Sequence, residues 1–158
     1  MPNDLLRDIQ QSKPFSSLEE EAFLNLARTA SALGDGLELL LKEFGISAAQ
    51  YNVLRILRGA GQAGLCRNEI RDRLVARMPD VTRLLDRLES LGLVRRMRDT
   101  EDRRQVGTFL TIAGDKLLTT LDEPITNAHR KQLRHLTADE LRTLIALTTR
   151  ARLTHLEP

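Results

Sequence analysis

The chain has 158 residues, about the size of one domain, with 41% hydrophobic residues, only 3% aromatics and a formal net charge of +2. That apolar content excludes wholesale disorder. The sequence contains no apolar run approaching 18 residues and no apolar signal core at its start, so membrane spanning and secretion are not expected.

The small net charge hides an uneven distribution. Residues 67–104 hold eleven Arg, no Lys and eight acidic residues, while the rest of the chain holds thirteen basic and fourteen acidic residues. The positive excess is thus confined to about a quarter of the chain. Arg contacts phosphate and guanine in a bidentate manner that Lys cannot copy. A solvated, salt-bridged face would have the same composition, so charge alone leaves both readings open. Cys66 is the single cysteine, which rules out an internal disulfide and fits a reducing cytoplasm.

In chain order, residues 1–13 are polar and read as a frayed arm. Ser17-Leu-Glu-Glu20 is a capping-box pattern in which Ser17 and Glu20 would satisfy each other's backbone amides. It opens a long helix to about Phe44, with soft interruptions at Gly34 and Gly36 and a stop at Gly45. Ser47-Ala-Ala-Gln50 opens a second helix through Tyr51, Val53, Leu54 and Leu57, broken by the Gly59–Gly64 stretch. A short third helix is expected at about 66–75. A fourth is expected at 79–91, with Pro79 at its first turn and Asp80 near the positive end of its dipole. Val81, Leu84, Leu85, Leu88 and Leu91 form its apolar stripe, while Thr82, Arg83, Asp86 and Arg87 face away.

The period then changes. Residues 93–97 and 106–111 read as two short strands around a charged turn at 98–105. A helix is expected from 113 to about 134, kinked near Pro124. Thr137-Ala-Asp-Glu140 opens the last helix, with Leu141, Leu144, Ile145, Leu147 and Leu153 as its apolar positions. The fold class is therefore mainly α with a small β-hairpin: a winged helix-turn-helix flanked by N- and C-terminal helices. In a helix-turn-helix unit the second helix enters the major groove with its leading residues at base edges. The hairpin after it lies along the backbone as a wing, and its Arg-rich tip suits a narrow minor groove.

These segments resemble the MarR family of transcription regulators over about residues 20–155. The strongest matches are Asp80-Val-Thr-Arg-Leu-Leu-Asp-Arg-Leu-Glu-Ser-Leu-Gly-Leu-Val94 and the wing Asp99-Thr-Glu-Asp-Arg-Arg104, closing on Leu110-Thr111-Ile-Ala-Gly114. Ile46–Leu54 matches the family's second helix and Leu136–Leu141 its last. The resemblance implies a cytoplasmic homodimer formed by the first and last two helices, binding pseudo-palindromic double-stranded DNA, more often as a repressor. It also implies a pocket between the dimer region and the DNA-binding lobe for a small aromatic or phenolic ligand. The corresponding division is residues 1–45 for the arm and first dimerisation helix, 46–112 for the DNA-binding lobe and 113–158 for the C-terminal dimerisation helices.

Carried over by position, the resemblance puts Thr82 and Arg83 on DNA, with Arg77, Pro79 and Asp80 near the leading end and Arg87 one turn on, at a phosphate or an acid. In the wing, Asp102 and Arg104 fill the family's Asp-x-Arg pattern. Arg104 would enter the minor groove, Asp102 would orient it, and Arg103 would reach a phosphate, although the two arginines are not ranked by sequence. Arg83, Asp86 and Arg87 could instead form an exposed charge ladder at i,i+3 and i,i+4 spacing. Arg95 and Arg96 alternate faces on a strand, so one points to DNA and the other away; Arg96 is taken as the DNA-facing one.

Some relatives sense oxidants through a cysteine near the start of the first helix, and this chain has none there. Cys66 opens the third helix beside Arg67, a setting that can lower a thiol pKa, so a redox-sensing regulator is one alternative. A ligand- or protein-binding module that has lost DNA binding is another. His129, His135 and His155 are not spaced as a zinc site, and no nucleophile motif, P-loop or dinucleotide fingerprint occurs. Neither cofactor nor metal nor catalysis is expected.

Overall fold

The computed structural model describes residues 4–98 and 106–153. The elements run α1 (Asp4–Asp8), α2 (Leu18–Glu43), α3 (Ala48–Ala60), a 3-10 turn (Gly61–Ala63), β1 (Leu65–Cys66), α4 (Arg67–Arg73), α5 (Val81–Ser90), β2 (Val94–Arg98), β3 (Val106–Leu110), α6 (Ile112–Leu133) and α7 (Ala138–Leu153). This is the mainly helical winged helix-turn-helix that the sequence predicts.

Helix starts follow local chemistry. The Ser47–Gln50 box at α3 is reciprocal: the Gln50 amide donates to Ser47 Oγ at 3.2 Å and the Ser47 amide to Gln50 Oε1 at 2.9 Å. Thr137 and Glu140 do the same ahead of α7. At α2 the box is one-sided. The Glu20 amide donates to Ser17 Oγ, but the Glu20 carboxylate accepts from the amide and hydroxyl of Ser16 instead, one residue earlier than expected. The α2 helix runs through Gly34 and Gly36 without a break. Part of the expected frayed arm is ordered: α1 forms over Asp4–Asp8 and Leu5 is buried.

The chain divides into two compact units, Met1–Leu121 and Asp122–Pro158. In the first, α3 packs against α2, α4, α5 and β3. Leu41, Val53, Leu54, Leu57, Ile70, Leu85 and Leu88 make its core, each 2% exposed or less. Burying a Leu of this kind contributes roughly 1.5–3 kcal/mol. The sheet is antiparallel with strand order β1-β3-β2, so the expected two-stranded hairpin gains a third strand. That strand is only Leu65–Cys66, too short to leave an alternating pattern.

Gly64 precedes β1 at φ +63°, and a Cβ there would lie 2.5 Å from the Phe109 ring. Glycine is required on both counts, backbone hand and space. The second unit holds the remainder of α6, which continues through Pro124, and α7. The exposed side chains of α7 include Leu144, Ile145, Leu147 and Leu153. Among the described residues no helix is long and apolar enough to cross a membrane.

Candidate nucleic-acid interface

The α5 helix is built to show one face. Val81, Leu85 and Leu88 are at most 5% exposed, and their spacing fixes the roll of the helix. Thr82, Arg83, Asp86 and Arg87 are consequently exposed. The helix begins at Val81, two residues later than expected. Asp80 is its N-cap: the carboxylate accepts from the Arg83 amide at 2.9 Å. Pro79 therefore lies before the cap, outside the helix, rather than in its first turn. The cap wins because a carboxylate on free amides satisfies a donor and faces the positive dipole end together.

The far end is set by Gly92 at φ +69°. The Gly92 amide donates to the Glu89 carbonyl at 2.9 Å and the Leu93 amide to the Leu88 carbonyl at 3.1 Å. This is a Schellman closure, and it turns the chain directly into β2. Thr111 Oγ1 donates to the Gly92 carbonyl at 2.7 Å, tying the end of the hairpin back to the same corner.

Strand register decides between Arg95 and Arg96. Arg95 stands opposite Phe109 and Arg96 opposite Thr108. Arg95 stacks over the Phe109 ring, 5.2 Å from its centroid. Arg96 turns inward to α5. Its Nη2 lies 2.6 Å from both Asp86 Oδ1 and Glu89 Oε2, its Nε donates to Glu89 Oε2 at 2.9 Å, and its backbone amide donates to Glu89 Oε1 at 2.9 Å. The sequence expectation that Arg96 faces DNA thus meets a guanidinium closed on two carboxylates. Asp86 in turn pairs with Arg96, and among the described residues it has no ion pair with Arg83 or Arg87, so the alternative of a helical charge ladder does not form.

The hydrogen bonds from Arg96 hold the Glu89 carboxyl below the usual carboxylate range, while Glu89 foremost, and Asp86 after it, raise the Arg96 guanidinium. The result is a charged clamp between α5 and β2.

The remaining predicted positions are arranged differently. Arg77, Pro79 and Asp80 are exposed on the α4–α5 connection, where the Val75 amide donates to Asn52 Oδ1 at 3.0 Å. Among the described residues Arg77, Arg83 and Arg87 have no ion-pair partner, in contrast to Arg71, Arg73 and Arg96. Asp102, Arg103 and Arg104, the predicted wing tip, lie outside the described residues, as does His155.

Two clefts flank α5. One, of about 590 Å³, is lined by Cys66, Arg67, Asn68, Thr82, Leu85, Arg96, Val106 and Thr108. The other, of about 400 Å³, is lined by Ser47, Gln50, Met78, Pro79, Asp80, Arg83, Leu84 and Arg87. Cys66 is half-buried at the start of α4, and its backbone amide donates to Glu69 Oε2 at 2.8 Å. Among the described residues no group of three or more His, Cys, Asp or Glu could hold a metal ion. Sequence reasoning did not find the pairing of Arg96 with Asp86 and Glu89, because it depends on which strand face meets the helix.

Comparison with known proteins agrees with this geometry. The model of the MarR family matches residues 46–106, which span α3 to the start of β3. The chain is 38% identical over 106 residues to the HTH-type transcriptional regulator TtmR of Methylorubrum extorquens, covering 67% of this chain and 53% of TtmR, so it spans about half the length of that relative. It is 33% identical over 105 residues to the multiple antibiotic resistance protein MarR of Escherichia coli, covering 66% of this chain and 72% of that protein.

Among solved structures, a MarR transcription factor from Planctomyces limnophilus is 47% identical with a TM-score of 0.66, covering 86% of this chain and 98% of its own. A mutant of Escherichia coli MarR complexed with operator DNA is 29% identical with a TM-score of 0.76, covering 86% of this chain and 99% of its own. With its capped α5, its three-stranded wing sheet and these relatives, the chain belongs to the MarR family.

Proposed function

We propose that the chain is a homodimeric DNA-binding transcription regulator, acting as a repressor on a pseudo-palindromic operator and modulated by a small aromatic or phenolic ligand. The observation that carries this reading is the outer face of α5, where Thr82, Arg83 and Arg87 are exposed while Val81, Leu85 and Leu88 are buried. A helix held this way by its own core presents its leading edge to a groove with little freedom to roll. Thr82 and Arg83 read base edges, and Arg77 and Arg87 neutralise phosphates that set the register. Pro79 and Asp80 shape the leading end rather than contact bases, since Asp80 is committed to the cap. Arg96 acts by positioning α5 against β2. In the wing, Arg104 enters the minor groove with Asp102 orienting it, and Arg103 meets a phosphate.

The operator complex of the Escherichia coli relative supports the DNA reading. The exposed large apolar side chains of α7, Leu144, Ile145, Leu147 and Leu153, support a second copy as partner, because so many on one helix are seldom left in water. Modulation by a small ligand, placed by the family resemblance between the dimer region and the DNA-binding lobe, would act on operator affinity by population shift.

The test is a titration of the purified chain against its own upstream region at several salt concentrations. Neutralised phosphates should appear as a linear fall of log affinity with log salt, with a slope of about −0.9 per contact. Salt-independent or absent binding would exclude DNA recognition in favour of a module that keeps only the fold. Arg104→Ala should weaken binding without unfolding the protein, and unchanged affinity would remove the wing assignment.

A further inference from the structure

Outside the residues already assigned, one basic side chain is joined to the reading edge itself. Arg67 is the first residue of α4 and Thr82 the second of α5, fifteen positions apart in sequence. The two helix starts meet because α4 and α5 pack on each other and on α3. Arg67 Nη1 donates to Thr82 Oγ1 at 3.2 Å, and both residues are exposed. Among the described residues this is the only hydrogen bond of the Arg67 guanidinium, and no carboxylate pairs with it. The neighbouring Glu69 is occupied by the Cys66 amide and by Arg73.

The chemistry of that contact has a direction. A guanidinium carries five N–H donors and no acceptor, and a threonine hydroxyl has one donor and two lone pairs. Arg67 takes up a lone pair of Thr82 and leaves its hydroxyl hydrogen free to donate to another group. What the pair presents is therefore a set of hydrogen-bond donors: the remaining N–H groups of Arg67 and the O–H of Thr82. The base-pair edge that offers two adjacent acceptors in the major groove is guanine, through N7 and O6. A cytosine edge offers an amino donor and meets this surface unfavourably.

We propose that Arg67 is a specificity-determining residue that acts jointly with Thr82 to select a G·C pair within each half-site. The inference rests on the DNA-binding reading above. It adds a reader from α4 to the edge of α5, and it assigns the base that this composite edge prefers.

The experiment is a selection from a randomised duplex DNA pool with the full-length chain, its Arg67→Ala, Arg67→Lys and Thr82→Ala variants and the double variant Arg67→Ala with Thr82→Ala, followed by affinity measurements on the selected site and its single-base-pair variants. The expected result for the unaltered chain is a preferred G·C pair at one position of each half-site. Arg67→Ala should lower discrimination at that pair about tenfold and leave the other positions alone. Thr82→Ala should affect the same pair, with the double variant losing less than the two single losses combined. Arg67→Lys should not restore the preference, because a point charge lacks the planar fork. If Arg67→Ala proves poorly folded, the Lys variant decides, since it keeps the charge and the helix.

Unchanged preference at every position in the Arg67 variants would overturn the proposal while leaving DNA binding intact. So would a uniform loss across all sequences with a shallower salt dependence, which marks a phosphate contact. Failure of the unaltered chain to select any sequence would instead overturn the DNA-binding reading, and this inference with it.

Discussion

Helices α5 and α7 differ in where their apolar side chains go. In α5, a ten-residue helix, Val81, Leu85 and Leu88 are buried within the first compact unit, and the polar side chains are left outside. In α7, sixteen residues long, no residue is buried, and Ile145 is 64% exposed. A helix whose apolar stripe is covered by its own chain is free to use its polar face for recognition. A helix whose apolar residues stay exposed is marked for a partner, which the proposed dimer would supply. Under the proposed function, the same physical requirement, removal of apolar area from water, would give the two helices opposite roles.

The sharpest way to break this contrast is to place a charge on α7. Ile145→Asp should convert a dimer to a monomer and reduce operator affinity by more than about 100-fold, because burying an unpaired carboxylate costs several kcal/mol. Sedimentation or light scattering would report it, and an unchanged mass would show that α7 does not form the interface.

Next in size is the core side of α5. Leu88→Ala should destabilise the fold by about 2–5 kcal/mol, read by chemical denaturation, since Leu88 is fully buried. A cost under 1 kcal/mol would mean that the helix is held by something other than its stripe.

The polar side of α5 should behave in the opposite way. Arg83→Ala should leave the unfolding curve in place and cost about 1–3 kcal/mol of discrimination at one base pair. An equal loss on every sequence would make Arg83 a phosphate contact.

The smallest effect concerns the clamp that joins α5 to the wing. Arg96→Ala should cost about 1 kcal/mol of stability, between the values for exposed and buried pairs, because the Arg96 side chain is 28% exposed and Glu89 38%. The clamp also gives a pH signature. Glu89 has a folded-state pKa below that of the unfolded chain. Its contribution is therefore fully present above about pH 4.3 and is lost as the pH falls through the lower folded value. The difference in stability between the unaltered chain and Arg96→Ala should shrink over that acid window. A difference that stays constant would show that Glu89 does not carry the pairing.

Much of this arrangement was legible in the amino-acid order, for reasons that are local. The capping residues Ser47 and Thr137 act within one turn, and of the five predicted stripe positions Val81, Leu85 and Leu88 are buried as the helical period requires, whereas Leu84 is half-buried and Leu91 is exposed at the C-cap. Gly92 ends α5 by backbone hand alone. The exposure of Thr82 and Arg83 then follows, since a buried stripe leaves them no other side. Even here the start of α5 was displaced by two residues, because Pro79 and Asp80 both carry helix-start signals and only the hydrogen bond from the Arg83 amide separates them.

What the tertiary structure alone decided are the pairings between residues far apart in sequence. Strand alternation put Arg95 and Arg96 on opposite faces without saying which face meets α5; the register against β3 sends Arg95 to Phe109 and Arg96 to Asp86 and Glu89. A two-residue strand at Leu65–Cys66 carries no periodicity, so it exists only because β3 offers it an edge. The contact of Arg67 with Thr82 needs two helix starts brought together by a shared core. Local order sets the period and the ends of each element, but which charges neutralise one another is a property of the packing, because a charge pairs with whatever carboxylate the folded chain brings within a few ångströms.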